Sequence, residues 1–297
     1  MISPQFKLAD LFEETSLKFK AAKVVEGMMI GIHHSPFHGF SSEFAQHRPY
    51  QPGDDLRYFD WKVWAKNERK YVKQFNEETN LLSTIILDCS KSMNFPKNRQ
   101  TKWEYASILS ASLIHTLLKQ RDGVGLILAS DDVKVQLNPK TYSWYESTLF
   151  ETIEKAVPDQ ETKLQLALKK AAQVHQRRGL LIIISDFMQP LEDLKQDLKF
   201  LRSQHHDLIA VQILDPMEID LDEHNEVLVK DLETNQKIET NFTQIKSAYQ
   251  TAFINWQTEL KQFFRDNQID FFSAKTTDAF SPFLRQILQV RNRVGNK

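Results

Sequence analysis

The stretch "LLSTIILDCSKSMNF", residues 81–95, decides the fold of this chain. Its first half is an apolar run that ends at Asp88, and its second half offers two hydroxyls at alternate positions, Ser90 and Ser92. A buried strand gains nothing from a polar ending of this kind, because an unpaired buried carboxylate costs free energy. The pattern therefore predicts a core strand that ends in a binding site.

After residue 80, short apolar runs alternate with segments of helical periodicity, which is typical of a mostly parallel sheet covered by helices. The predicted strands are residues 82–87, 124–129, 133–137, 180–184, 208–214 and 269–272. The predicted helices are residues 103–119, 164–175, 191–201, 253–264 and 282–290, where apolar side chains recur at helical spacing. Asp131 and Asp132 supply a hairpin turn between two of the strands.

These elements predict an α/β fold with an open, mostly parallel, doubly wound sheet over residues 81–297. A small hairpin insertion is expected near residues 226–240, with its turn at residues 233–236. Residues 1–80 differ in composition, being rich in His, Pro, aromatic residues and Arg. We expect them to form a separate N-terminal segment of irregular and β structure.

The amino-acid composition limits the classes of function that this chain can have. The 297 residues are 41% hydrophobic, and 38 basic against 39 acidic residues give a net charge of −1, which does not argue for nucleic acid or an anionic membrane. The single cysteine, Cys89, excludes an internal disulfide and fits a reducing compartment. No signal peptide is visible, and no apolar run approaches the roughly 20 residues of a membrane helix. We expect a cytoplasmic protein without membrane insertion.

A second predicted strand, in "LLIIISDFM" (residues 180–188), also ends in polar residues, and a third hydroxyl precedes the helix at residue 164. In open α/β sheets, ligands bind at the carboxyl ends of the strands. Oxygen donors there suit Mg²⁺, which is held octahedrally by few carboxylates and keeps several waters. We predict a Mg²⁺ site, with Mn²⁺ or Ca²⁺ as alternatives and room for an outside oxygen ligand, built from Asp88, Ser90, Ser92, Thr162 and Asp186.

This set resembles the metal-ion-dependent adhesion site of von Willebrand factor A domains, which has Asp-x-Ser-x-Ser after a first strand, a later Thr and a later Asp. The resemblance covers about residues 81–297. It implies that Ser90, Ser92 and Thr162 contact the cation, that Asp88 and Asp186 hold it largely through waters, and that an acidic residue of a protein partner completes the shell. The Gly-rich lead to the Thr is here Asp159-Gln160-Glu161.

A second signature lies in "GFSSEFAQHRPYQPGDDLRYFDWKVWAK", residues 39–66. Its defining residues are Arg48, Tyr50, Pro52, Gly53, Asp54, Asp55, Arg57, Asp60 and Trp61. The pattern closely resembles a bacterial family catalogued as domain of unknown function number fifty-eight, over about residues 20–290. In that family the segment precedes a von Willebrand A-like domain. The signature is interpreted either as a docking loop or as a structural clamp.

The family is similar to proteins that work beside MoxR-type AAA+ ATPases, so the resemblance implies such a partner in assembly, maturation or stress response. We predict a non-enzymatic, Mg²⁺-dependent protein-interaction module. One alternative is a metal-assisted phosphate hydrolase, although Ser90 stands where an Asp-x-Asp loop needs its second acid. Another is a scaffold with a vestigial metal site. Aromatic and basic residues at 57–71 are interleaved with acids, so nucleic-acid binding is not expected.

Overall fold

The computed structural model describes residues 16–32, 44–51, 59–67, 69–75, 81–97, 99–175, 177–219, 228–230, 237–239 and 242–295. These residues fall into two units. The larger unit contains the residues from 81 onward together with a helix near the N-terminus. The smaller unit contains the described residues between 44 and 75.

The elements follow one another along the chain in this order. The helices are α1 (Leu17–Ile32), α2 (Trp61–Asn67), α3 (Lys102–Lys119), α4 (Tyr145–Lys155), α5 (Leu164–Val174), α6 (Glu192–Ser203), α7 (Pro216–Ile219), α8 (Phe242–Asp266) and α9 (Phe280–Gly295). The strands are β1 (Phe44–Pro49), β2 (Tyr71–Phe75), β3 (Leu82–Asp88), β4 (Gly123–Ala129), β5 (Val133–Lys140), β6 (Leu180–Ser185), β7 (Asp207–Leu214), β8 (Leu228–Lys230), β9 (Lys237–Glu239) and β10 (Asp270–Lys275). A short 3₁₀ helix spans Lys91–Asn94.

Six strands form the central sheet of the larger unit, in the order β10-β7-β6-β3-β4-β5. All neighbours are parallel except β5, which runs antiparallel to β4 at one edge. The predicted fold class, an open and mostly parallel α/β sheet, is therefore confirmed. β3 pairs with β4 on one side and with β6 on the other, so the strand order reverses beside β3. Ligands bind at such a reversal in open α/β sheets.

The strands are buried on both faces, which explains their continuous apolar sequence. Along β3, Ile85 and Leu87 face a core cluster that includes side chains of α1, α3, α4 and α9. Ile86 faces the opposite cluster, to which α5, α6 and α8 contribute. The same alternation continues along β4, β6 and β7, because successive side chains of a strand point to opposite faces.

All six predicted strands are present, and each is extended by one to three residues at one end, whereas β10 also begins one residue later than predicted. The predicted helix at 253–264 is longer, because the apolar side chains that suggested it, such as Leu260 and Phe264, cover only the part of α8 that packs on the core. Helices α1, α2, α4 and α7 were not predicted. β8 and β9 pair antiparallel, as the predicted hairpin insertion requires, whereas its turn at residues 233–236 lies outside the described residues.

Helix α1 belongs to the larger unit, whereas the sequence-based division placed all of residues 1–80 in the N-terminal segment. Its buried side chains, among them Ala21, Val24 and Met28, join the core cluster that contains α3 and α9. The amide of Leu17 at its start donates a hydrogen bond to Glu154 Oε1 of α4, at 2.8 Å. The α/β unit is therefore built from two separate parts of the sequence.

The smaller unit is a two-stranded antiparallel ladder of β1 and β2, with an additional bridge between Phe59 and Val72. Asp60 is buried and begins α2. Its Oδ1 accepts hydrogen bonds from the amides of Lys62 at 3.0 Å and Val63 at 3.1 Å. Asp60 thus satisfies backbone donors that the first turn of a helix leaves without partners.

Candidate functional site

Two aspartates lie at the carboxyl edge of neighbouring central strands. Asp88 is the last residue of β3, and Asp186 follows the last residue of β6. The two strands pair in parallel, with Leu87 opposite Ile184, so both acids reach the same edge where the strand order reverses. The sheet thus delivers two carboxylates to the position at which this architecture binds ligands.

The carboxylate of Asp88 is completely buried and accepts hydrogen bonds from three residues. The amide of Ser90 donates to Oδ1 at 2.9 Å, and the hydroxyl of Ser185 donates to Oδ2 at 2.5 Å. The hydroxyl of Thr162 lies 2.9 and 2.8 Å from the two carboxylate oxygens. All of these donors are neutral, and no cation contacts Asp88 within the described part of the chain.

Burial raises the pKa of Asp88 from its ordinary value to about 6, and repulsion from Asp186 adds to the increase. The hydrogen bonds from Ser185, Ser90 and Thr162 act in the opposite direction, because they stabilise the charged form. Burial and repulsion nevertheless prevail. Asp88 is therefore a buried acid whose negative charge is solvated by dipoles alone.

Two further hydroxyls join the acids. Ser90 Oγ lies 3.1 Å from Ser92 Oγ, and the 3₁₀ helix that starts at Lys91 turns Ser92 towards the sheet edge. Ser92 also hydrogen-bonds to Asp186. Ser90 is fully buried, whereas Thr162 is half-buried. The cluster therefore meets solvent at Thr162.

Asp186 has a charged partner, unlike Asp88. Lys102 Nζ, from the first turn of α3, lies 2.7 Å from Asp186 Oδ2, and the amide of Met188 donates to Oδ1 at 3.0 Å. Lys102 also contacts Glu218 Oε1 at 2.6 Å. Burial tends to raise the pKa of Asp186, but Lys102 outweighs burial and holds this pKa below its ordinary value.

Backbone hydrogen bonds fix the loop that carries Thr162. The amide of Asp159 donates to the carbonyl of Cys89 at 3.1 Å, and the amide of Lys91 donates to the carbonyl of Gln160 at 2.9 Å. Gln160 adopts a positive φ of 58°, a conformation that favours glycine. A non-glycine residue thus makes this turn, and Thr162 reaches Asp88.

Two oxygen–oxygen separations in this cluster are of the size found within an octahedral Mg²⁺ shell. With Mg–O distances of about 2.1 Å, neighbouring oxygens of an octahedron lie about 3 Å apart. Ser90 Oγ and Ser92 Oγ are 3.1 Å apart, and Thr162 Oγ1 lies 2.8 Å from Asp88 Oδ2. Among the residues that the structure describes, no group of three or more His, Cys, Asp or Glu could hold a metal ion. The cluster instead combines two carboxylates with hydroxyls.

The structure brings all five residues of the predicted site together: Asp88, Ser90, Ser92, Thr162 and Asp186. The sequence interpretation missed Lys102 and Glu218. A lysine in the first turn of an amphipathic helix is normally a surface residue, so only its side-chain exposure of 1% reveals its role. Ser185 was not among the predicted site residues, although its hydroxyl contacts Asp88 directly.

The N-terminal signature is described only in part. Arg48 lies in β1, opposite Val72, and Tyr50 makes an edge-to-face ring contact with Phe59 at 5.7 Å. Asp60 starts α2, and the side chain of Trp61 is 58% exposed. The remaining signature residues lie outside the described residues: Pro52, Gly53, Asp54, Asp55 and Arg57. Both interpretations of the signature, a docking loop and a structural clamp, stay predictions.

Known proteins resemble this chain in sequence and in structure. An uncharacterized protein of Mycobacterium tuberculosis is 27% identical over 224 residues, which cover 74% of this chain and 69% of that protein. The solved structure of an aerotolerance-related membrane protein from Bacteroides fragilis matches 72% of this chain and 99% of its own, with 18% identity and a TM-score of 0.50. The likeness to that structure concerns the fold alone.

The SpRpn10 VWA domain is a more distant structural match, with 13% identity, a TM-score of 0.44 and coverage of 69% of this chain and 95% of its own. In the described part of this chain, no helix is long and apolar enough to cross a membrane. The family described as protein of unknown function DUF58 matches residues 46–259, which include both the signature and the site. The chain therefore belongs to the DUF58 family.

Proposed function

We propose that this chain is a non-enzymatic protein-interaction module of the von Willebrand A type, which uses a divalent cation, Mg²⁺ in the first place, to bind an acidic residue of a protein partner. One observation carries the proposal. Among the described residues, the hydrogen-bond donors to the fully buried carboxylate of Asp88 are all neutral, and the hydroxyls of Ser90 and Ser92 lie 3.1 Å apart in the same cluster. A cation would supply the charge that the site lacks.

Four residues would hold the cation: Asp88, Ser90, Ser92 and Thr162. Asp186 would act from further out, because the ammonium of Lys102 already neutralises its charge. When bound, the cation supplies a Lewis-acidic position for one external carboxylate oxygen. Access would come from the side of Thr162, which is the half-buried member of the set.

The partner class that we propose is a MoxR-type AAA+ ATPase in the cytoplasm, acting in assembly, maturation or stress response. Membership of the DUF58 family and the resemblance of that family to MoxR-associated proteins support this choice. The cytoplasmic location and the absence of nucleic-acid binding stay predictions. The mycobacterial relatives are themselves uncharacterized, so the partner rests on the resemblance and on the chemistry of the site.

We do not propose a phosphate hydrolase. The nucleophilic Asp of such an enzyme would have to be Asp88, the last residue of β3. The position two residues further on, where such enzymes need an acid, is occupied by the buried Ser90. A scaffold with a vestigial site differs from our proposal in one respect, because it would not take up the cation.

The test is a binding assay between the purified full-length chain and the MoxR-type ATPase encoded in the same genome. Capture is expected in Mg²⁺, and it should be lost in EDTA and in the Asp88→Asn variant. A matched control is Asp131→Asn, which changes an exposed acid at the nearby β4–β5 turn. Capture that persists equally in EDTA and in Asp88→Asn would refute metal-dependent binding.

A further inference from the structure

Lys102 is a buried ammonium shared between two carboxylates. Its Nζ lies 2.7 Å from Asp186 Oδ2 and 2.6 Å from Glu218 Oε1, and its side chain is 1% exposed. Burial alone would lower the pKa of Lys102, but attraction to Asp186 and Glu218 more than compensates and holds the pKa above its ordinary value. Lys102 is therefore charged in the folded protein.

Glu218 is held in place by its own contacts. Its Oε2 accepts a hydrogen bond from the amide of Asp215 at 2.7 Å, and its backbone carbonyl accepts one from the hydroxyl of Tyr249 at 2.7 Å. The other oxygen, Oε1, is thereby directed at Lys102. The ammonium consequently stays between Asp186 and Glu218 rather than moving towards Asp88.

The two acids at the sheet edge are thus compensated differently. Asp186 pairs with an internal cation, while Asp88 is surrounded by the amide of Ser90 and by hydroxyls. A divalent ion beside Asp88 would meet one full negative charge that is not already paired. It would also be repelled by the ammonium of Lys102 behind Asp186, because like charges in a partly buried site are weakly screened.

We propose that Lys102 is an internal counter-cation that neutralises Asp186, so that Asp186 does not contribute its charge to the metal site. Binding of a divalent cation thereby depends on a carboxylate supplied from outside. This inference rests on the proposed function and adds its regulation. Without an external carboxylate, the ion has one acid and neutral hydroxyls, which hold Mg²⁺ weakly. An external carboxylate restores the second negative charge that Lys102 neutralises at the site, so the ion and this carboxylate bind together.

The experiment is calorimetric titration of Mg²⁺ into the full-length protein, in sodium chloride and in excess sodium acetate at equal ionic strength. In the wild type, acetate should tighten Mg²⁺ binding. In Lys102→Met, Asp186 is released, so Mg²⁺ affinity without acetate should rise about tenfold or more. The benefit from acetate should shrink in the same variant, because Asp186 then supplies the second charge.

Glu218→Gln should have the opposite effect. The ammonium of Lys102 would then be shared with Asp186 alone, so Mg²⁺ affinity without acetate should fall. The matched control is Lys134→Met, which removes another cation near the Cys89 loop, one that pairs with the half-exposed Asp159 and does not contact Asp186. Solvent screens this pair, so its loss should change Mg²⁺ affinity by less than about twofold.

Lys102→Met leaves two buried acids without their cation and can fail to fold, which thermal unfolding would reveal. In that case Lys102→Met is made in the Glu218→Gln background, where the loss of the ammonium leaves only Asp186 unpaired. This double variant should bind Mg²⁺ more tightly than Glu218→Gln does.

Two failures are distinguishable. Equal Mg²⁺ affinity with and without Lys102, in a protein that does bind Mg²⁺, overturns the inference and leaves the proposed function intact. No Mg²⁺ uptake by either protein, even in acetate, overturns the proposed function itself.

Discussion

Thr162 donates its hydroxyl hydrogen towards both oxygens of Asp88, at 2.9 and 2.8 Å, although 74 positions separate the two residues in the sequence. This contact joins the loop before α5 to the end of β3 and brings the half-buried member of the cluster onto its buried acid. The Thr162–Asp88 contact thus links the buried carboxylate to the solvent-accessible side of the cluster. Access of a cation and stability of the fold therefore both depend on Thr162 and Asp88.

The first prediction concerns this contact. Thr162→Val keeps the shape of the side chain but removes its hydroxyl, so Mg²⁺ affinity measured by calorimetry should fall about tenfold or more. Thr152→Val is the matched control, because the Thr152 hydroxyl bonds only within α4, to the carbonyl of Thr148. Unchanged Mg²⁺ affinity in Thr162→Val would remove Thr162 from the site.

The second prediction concerns Ser185. Its hydroxyl donates to Asp88 Oδ2 at 2.5 Å and accepts from the amide of Phe187 at 2.9 Å, so both groups lose a buried partner in Ser185→Ala. The free energy of unfolding should fall by about 1–3 kcal/mol, as measured by urea denaturation. In contrast, Ser203→Ala on the exposed end of α6 should change it by less than about 0.5 kcal/mol. Equal effects of the two substitutions would contradict this account.

Sequence patterns predicted the sheet well because its strands are buried on both faces, so that their apolar runs are continuous and stop abruptly. The candidate site was predicted from the same feature, because Asp88 and Asp186 each stand where an apolar run ends abruptly. Lys102 and Glu218 could not be recognised in this way. Their roles depend on contacts across 84 and 116 positions, which no local periodicity records.

Helix α1 shows a second limit of sequence reasoning. It was not predicted, since residues 1–80 were expected to be irregular and β structure, and the elements that cover its apolar side chains follow only after the whole signature segment. Helix α4 was missed although Tyr145, Leu149, Phe150 and Ile153 are buried, because these few apolar residues are spread among charged and hydroxyl side chains. Local pattern identifies an amphipathic helix, but tertiary contacts decide which core it joins.

A third prediction concerns the buried ion pair between Arg291 and Asp122 in the larger unit. Arg291 of α9 binds both oxygens of the fully buried Asp122, at 2.8 and 2.5 Å, and Asp122 Oδ1 also accepts from the amide of Leu81 before β3. Arg291→Met should lower the free energy of unfolding by about 3–5 kcal/mol, because it leaves a buried charge unpaired. Arg178→Met, which breaks the exposed pair with Asp207, should cost less than about 1 kcal/mol. A comparable loss in both variants would show that burial of Asp122 carries no special penalty.

A fourth prediction is a pH dependence of stability. His175 is buried, its Nε2 lies 2.6 Å from Thr84 Oγ1, and burial lowers its pKa from 6.5 to about 4, with a smaller contribution from His206. The unfolded chain therefore binds a proton at a higher pH than the folded protein does. The stability that neutral His175 provides is complete above about pH 6.5 and is lost as the pH falls towards about 4.

Urea denaturation at about pH 7.5 and about pH 5 measures this loss, which should be on the order of 2 kcal/mol for His175. His175→Gln, which does not titrate, should reduce the difference between the two pH values. Some dependence should persist, since burial lowers the pKa of His206 as well. An equally steep loss of stability in His175→Gln and in the wild type would exclude His175 as its source.

The most direct test of the central claim is calorimetric titration of Mg²⁺ into the wild type and into Asp88→Asn, both in excess acetate. The account predicts saturable binding at one site in the wild type and none in Asp88→Asn, with both proteins folded by circular dichroism. Equal binding by the two proteins, or no binding by the wild type, would contradict a divalent cation held at Asp88.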